Sequence, residues 1–282
     1  MIRRLAGEQF WLITQNDHAR FAGVIAACIG GQFALPEPRE AVLEAVSSHD
    51  AGWPIHDDAP TLNDKGQPLN VFEISMGLAT KIWSSSAERA KAKGPYTALL
   101  VSIHQLHLSH YATQTTGAFP HERAKSSADQ FTLNKFQHQQ VELQESLRSE
   151  LKLHTDLPLH LGLAAAGTDP AEDALSYHYG LLSLCDRLSL QLCMGRLLFP
   201  EMDDIAPAPG AAPLKMTTQM IDDHTLAVDP WPFATGPFDV KVPYRVVSGK
   251  AFNNESALRT GYQKSAVAKT QLSLRPPAEQ TA

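Results

Sequence analysis

Basic residues are in short supply: 24 Lys and Arg stand against 30 Asp and Glu, for a formal net charge of −6, and no extended Lys/Arg run occurs in the 282 residues. A phosphate-backbone footprint is therefore missing, and nucleic acid is not an expected partner. Long apolar runs are missing too. No window approaches about 18 consecutive apolar residues, so no membrane partner is expected. The opening stretch MIRRLAGEQFWLITQNDH has no apolar segment of signal-peptide length. Cysteine is scarce: Cys28, Cys185 and Cys193 form an odd set without metal-ligand spacing, each in an apolar helical stretch, and read as small core residues. These absences describe a soluble cytoplasmic protein acting on a small-molecule substrate; the sequence does not speak to its oligomeric state.

What is present is a globular composition, 43% hydrophobic and 19% charged, with 12 histidines. The expected fold is mainly α, with a helical domain over 1–199. Helices are predicted over 17–30, from about 37 to 50, over 70–92, through PYTALLVSIHQLHLSHYA, over 127–153 with Phe131, Leu143, Leu147 and Leu151 inward, and over 169–198. Residues 50–70 read as a long loop, a length that in a compact domain is usually functional or disordered. A Pro/Ala-rich connector covers 200–216. The alternating runs TLAV, FDVKVPYRVV and KTQLSL then predict a small antiparallel β segment over 217–275 packed on the helical domain, followed by a loose tail over 276–282.

Chemistry enters through ionisable residues on apolar faces. His18 opens the stripe continued by Phe21, Ile25 and Cys28, and His49 closes the stripe of Val42 and Val46, with Asp50 about 100° around the helix. Asp186 sits in the middle of the stripe Leu175, Tyr179, Leu182, Leu190 and Cys193. An unpaired carboxylate there would cost several kcal/mol, so it requires a partner, either the neighbouring Arg187 or a cation. In LLVSIHQLHLSHY, His104 shares a face with Leu100, His107 and Tyr111. His107 and His110 follow at steps of three, a spacing that suits a chelating pair or a solitary inward His104. Inward His and Asp residues on separate helices point to one shared divalent metal.

The arrangement resembles the HD-domain superfamily of metal-dependent phosphohydrolases: an early His, a His-Asp doublet in HDAGW, and a distant Asp in YHYGLLSLCDRLSL. The likeness spans about residues 14–198. More narrowly, ITQNDHARFAGVIA, HDAGW, LLVSIH, CDRLSL and a WPFATGPF segment look like a bacterial HD-like family without an assigned function. The resemblance implies an HD-type helical bundle. It also implies metal ligation (Mn, Fe, Mg or Zn) by His18, His49, Asp50 and Asp186, with Asp50 able to bridge two ions and His104 as an additional ligand. Asp50 or Asp186 would orient or deprotonate a water, and His56, Asp57 and Asp58 would line the mouth as acid/base groups. Where superfamily nucleotidases often carry basic residues after the doublet, this chain reads WPIHDDAP.

Three functions compete. The leading expectation is metal-assisted hydrolysis, of a phosphate ester. A di-iron oxygenase would draw surplus ligands from His107 or His110, and a non-catalytic binding module would close the site. Asp222, Asp223 and His224 read as a solvated acidic turn, and Trp231, Phe233 and Phe238 as a cover for an apolar helix face.

Overall fold

The chain starts with an antiparallel β-hairpin, Ile2–Ala6 (β1) against Gln9–Ile13 (β2), whose alternation puts Ile2 and Ile13 on one face, in the main core, and Phe10 and Leu12 on the other, buried against Val247, Leu258 and Tyr262. It is seen in a computed structural model that describes residues 1–112, 126–154 and 157–277. Helix α1 (Gln15–Ala27) follows at once, its start fixed by Thr14, whose side chain accepts the Asp17 amide. Helix α2 (Arg39–Ser48) ends at His49, and a short helix α3 (Pro54–Asp57) occupies part of the stretch expected to be loop. Then come α4 (Met76–Lys91), α5 (Pro95–Tyr111), and α6 (Ser127–Leu151), which opens with a reciprocal Ser126–Asp129 capping box. A small hairpin, Leu159–His160 (β3) and Leu163–Ala164 (β4), leads into α7 (Pro170–Met194).

After α7 the chain turns to strands: β5 (Glu201–Ile205), β6 (Leu214–Asp222), β7 (Thr225–Asp229) and β8 (Phe238–Ser248). Helix α8 (Glu255–Lys264) and strand β9 (Val267–Arg275) complete it. The order across the sheet is β1-β2-β8-β9-β7-β6-β5. Every neighbouring pair is antiparallel except β7 and β9, which run parallel.

This corrects the expectation of a mainly α, HD-like bundle with a small β appendage. Of the described residues 46% are helical and 22% are in strands, and the fold is built around a seven-stranded mixed sheet. The physical reason is non-local pairing. Strand β2 lies against β8, Gln9 opposite Ser248, so the N-terminal hairpin joins a sheet whose other strands are far along the chain. The stretch expected to be only a connector carries β5 and the start of β6. Helices and sheet then bury one core, in which Ile2 and Ile13 of the hairpin and Met216, Leu226 and Leu272 of the later strands join Ile25, Leu99 and Leu182. Helix α7 is apolar nearly all round because it lies between the other helices and the sheet, packing on α1, α2 and α5 and also on β1, β5 and β9.

Individual faces differ from expectation as well. Phe131 is exposed, as is Tyr111, because α5 turns its last residue outward, while Leu147 is buried as expected. Phe233 is buried and pairs by its backbone with Ile29 at the end of α1, so the WPFATGPF segment caps that helix rather than covering a helix face alone. Asp222, Asp223 and His224 do form an exposed turn, with Asp223 accepting a hydrogen bond from Arg4 at 2.8 Å. The tail expected over 276–282 lies outside the described residues from 278 onward. Among the described residues no helix is long and apolar enough to cross a membrane.

Candidate metal centre

Four helices converge on one point. Helix α1 contributes His18, the C-terminal end of α2 contributes His49 and Asp50, α5 contributes His104, and α7 contributes Asp186. The carboxylate of Asp186 is the hub. Its Oδ1 lies 2.9 Å from His18 Nε2 and 3.5 Å from His49 Nε2, and its Oδ2 lies 3.8 Å from His104 Nε2. Asp50 Oδ2 is 3.6 Å from the same His49 nitrogen. Ligand atoms of His18, His49 and Asp50 all lie within 4.8 Å of one another, as do those of His49, His104 and Asp186. Because His49 belongs to both sets, they form one centre. Two ligands bound about 2.1 Å from a common ion are spaced about 3.0 to 3.4 Å apart, so the observed separations suit a shared cation.

Hydrogen bonding orients the rings for that role. His49 Nδ1 donates to the Val46 carbonyl at 2.7 Å, which in the neutral ring leaves the lone pair on Nε2, and that buried nitrogen makes no hydrogen bond. Ser189 donates its hydroxyl hydrogen to the Asp186 carbonyl at 3.0 Å, so its oxygen is left to accept from His18 Nδ1, also at 3.0 Å. His18 Nε2 thereby presents a lone pair towards a carboxylate oxygen, an arrangement that needs a proton or a cation between them. Gln105, fully buried, donates to the His49 carbonyl at 2.8 Å and holds the end of α2 in place. Ser189 and Gln105 were not singled out by sequence. Ser189 was visible in principle, one turn beyond Asp186 on the same face; Gln105 carries no such signal.

Electrostatics agree with a site that draws positive charge. Burial pushes His49 down, but the Asp50 and Asp186 carboxylates outweigh it and raise its pKa to about 9. Burial raises Asp50 above the usual carboxylate range. Burial also acts to raise Asp186, but the facing imidazoles of His18, His49 and His104 overcome it and hold Asp186 well below that range. His104 is pushed down to about 3, chiefly by burial, so it is a neutral, ligand-competent imidazole.

The sequence-nominated ligands thus come together, while other nominees do not. Arg187, the alternative partner of Asp186, instead donates to both oxygens of Asp204 at 2.9 and 3.0 Å. His56 and Asp57 do not line a solvated mouth. Both are buried: Asp57 accepts the Gln15 amide at 2.7 Å and pairs with the Met1 ammonium at 2.8 Å, while His56 Nε2 contacts Thr61 Oγ1 at 3.2 Å. Asp57 thereby ties α3 to Met1, ahead of β1, and to the first residue of α1. His107 lies on the ring of Tyr179, centroids 4.3 Å apart, and neither it nor His110 belongs to the ligand clusters found among the described residues. The glycine of HDAGW has a packing reason. A Cβ on Gly52 would come 2.1 Å from the Ile82 carbonyl oxygen and 2.7 Å from the Ser86 amide, so only glycine lets α4 pass this close to the doublet.

Because Ser189 fixes the His18 tautomer, Ser189→Ala is expected to weaken metal affinity about tenfold with little change in melting temperature. A competition titration against a metal-sensitive dye measures this, and unchanged affinity would remove Ser189 from the orienting role.

The fold and site define an α+β protein with a buried three-histidine, two-carboxylate centre held by four helices against a mixed sheet. The chain belongs to the family described as "Protein of unknown function (DUF3891)", which matches residues 1–249. That match includes the N-terminal hairpin and most of the β-rich part, and together with the seven-stranded sheet it overturns membership of the HD-domain superfamily. No curated protein and no solved structure matches the chain.

Proposed function

We propose that this protein is a metal-dependent hydrolase of phosphate esters. The observation that carries the reading is the Asp186 carboxylate placed 2.9 to 3.8 Å from imidazole nitrogens of three separate helices. A divalent cation held there supplies Lewis acidity, polarising the phosphoryl oxygen and acidifying water towards neutrality. His18, His49 and His104 would hold the cation through their Nε2 atoms, His49 giving up its proton as the ion enters, and Asp50 and Asp186 would balance its charge. Asp50, made more basic by burial, or Asp186, the more exposed of the two, would take a proton from water. The Asp186 side chain keeps 15% exposure, whereas His18 and His49 keep 1% each, so the centre opens on the α7 side.

That opening favours catalysis over a purely structural role, since structural sites are closed by protein ligands and catalytic ones keep a position for water or substrate. The di-iron alternative loses its surplus ligands, because neither His107, tilted against Tyr179, nor His110 belongs to the ligand clusters among the described residues. The test is a panel of phosphate mono- and diesters assayed with protein reconstituted separately with Mn, Fe, Zn and Mg. Hydrolysis in at least one metal form, lowered about a thousandfold or more in His49→Ala, is expected. No turnover in any metal form, or turnover indifferent to His49→Ala, would sink the reading.

A further inference from the structure

A cavity of about 430 Å³, within the range of small-ligand pockets, runs along one face of α7. Asp173, Ser176, Tyr177, Gly180 and Ser183 line it at helical spacing, a stripe about 15 Å long at about 1.5 Å per residue. Ser183 stands one turn before Asp186. The stripe therefore approaches the metal centre at one end and finishes at Asp173, in the first turn of α7, at the other. Facing it are the end of α5, the β3–β4 hairpin and the chain from Asp204 to Pro213.

The hairpin wall is held in place. Arg148, buried on α6, donates to the Gly162 carbonyl at 2.6 Å and pairs with buried Glu172 of α7. Gly162 sits at φ +86, and a Cβ there would come 2.3 Å from Gln144 Oε1, so the hairpin lies tightly against α6.

Fixed charge on the lining has one sign. Among the described residues no Lys or Arg lines the cavity, whereas Asp173 and Asp204 do. Asp204 is met by Arg187, which donates to both of its oxygens. No cation among the described residues pairs with Asp173, although its side chain is only half-buried. Its Oδ1 accepts the Gly167 amide at 2.8 Å, and its Oδ2 lies against Gly210 of the facing wall. The start of α7 does not need this carboxylate as a cap, because Asp169 already accepts the Ala171 and Glu172 amides.

Between the two ends, Tyr111, Tyr177 and Tyr179 supply aromatic surface, and aromatic rings near a carboxylate suit an organic cation. His107, His110 and His160 line the cavity too, but His107 Nε2 is buried out of reach of a ligand. An imidazole adds charge only when protonated, so work at about pH 8, above the ordinary imidazole range, isolates the carboxylates.

We propose that this cavity binds an extended apolar chain ending in an ammonium group. The ammonium sits on Asp173, and the chain lies along α7 towards the metal centre. A second clause rests on the hydrolase reading: the substrate is a phosphate ester whose alcohol portion carries that ammonium at its far end. The first clause stands without it.

Octylammonium, octanol and octanoate share one chain and differ in end-group charge, so ligand-observed NMR titrations with them test the cavity directly. Octylammonium is expected to bind at least about tenfold more tightly than octanoate and about fivefold more tightly than octanol. Asp173→Asn keeps an acceptor for the Gly167 amide while removing the charge, and should bring octylammonium within about twofold of octanol. Gly180 lines the cavity, and a Cβ added there meets nothing within 4 Å, so Gly180→Leu fills the space without a backbone clash. This variant should weaken octylammonium at least tenfold. Octanol or octanoate binding as well as octylammonium, absence of octylammonium binding, or indifference to either variant would each overturn the assignment. If alkyl phosphates are hydrolysed, ω-aminodecyl phosphate should show a KM at least tenfold below that of decyl phosphate, and Asp173→Asn should remove the difference with metal content unchanged. Equal KM values would overturn the substrate clause and leave the hydrolase reading standing. If no ester is hydrolysed, the hydrolase reading and the substrate clause fail together, and the octylammonium series still decides the cavity.

Discussion

Asp186→Ala is expected to leave the purified protein with less than about a tenth of the divalent metal found in the parent, and to weaken metal affinity about a hundredfold or more. The reason is geometric. Asp186 is within 4 Å of all three proposed histidine ligands, and its α7 backbone is tied into the core on both sides, so no neighbouring carboxylate can move into its place. Asp50 lies 3.6 Å from His49 and clusters with His18, but it is not grouped with His104 as Asp186 is. Metal content by elemental analysis, combined with titration of stripped protein, reads the effect. Asp186→Asn keeps the side-chain shape while removing the charge, and it should lose metal while still melting cooperatively. One equivalent of metal bound with parental affinity in Asp186→Asn would refute the centre as described.

Glu172→Ala is expected to produce the largest loss of stability, about 3–5 kcal/mol, because it leaves the Arg148 guanidinium buried and uncompensated. Both side chains are only 1% exposed, so water cannot replace the lost carboxylate. In a chain of this size that loss corresponds to a fall of roughly 10 °C in melting temperature. The companion variant separates the pair's net contribution from the penalty of breaking it. Arg148→Met combined with Glu172→Leu removes both charges and should recover more than about half of the loss, since apolar replacements of a buried pair are often near neutral. The hydrogen bond from Arg148 to Gly162 is lost in the double variant, so the β3–β4 hairpin should loosen from α6 even where stability returns. A melting temperature within about 2 °C of the parent in Glu172→Ala would show that the pair is not desolvated as the structure places it.

Helices and their inward faces were readable from local pattern. The stripes through His18, through Val42, Val46 and His49, and through Leu175 to Cys193 each predict an ionisable group facing inward, because a 3.6-residue period assigns faces without knowledge of the neighbours. Those residues are the ones that meet. Where the period weakens, assignment failed: Phe131 near the start of α6 and Tyr111 at the end of α5 sit at helix ends, where packing neighbours run out. The likeness to HD-domain proteins rested on a handful of spaced residues, which fix relative positions on helices but say little about what the helices pack against.

Composition, helix periodicity and the chemistry of buried carboxylates were enough, from sequence alone, to nominate His18, His49, Asp50, His104 and Asp186 and to require a partner for Asp186. Tertiary structure alone decided the rest. It joined the residues 2–13 hairpin to β8, pulled β5 and the start of β6 out of a supposed connector, and made the sheet mixed through the β7–β9 pair. It also laid His107 against Tyr179, gave Arg187 to Asp204, and paired Asp57 with the Met1 ammonium. The physical reason is range. A helical face is set by residues three and four apart, whereas strand partners, ion-pair partners and cavities are set by segments far apart in sequence, whose meeting no local period encodes.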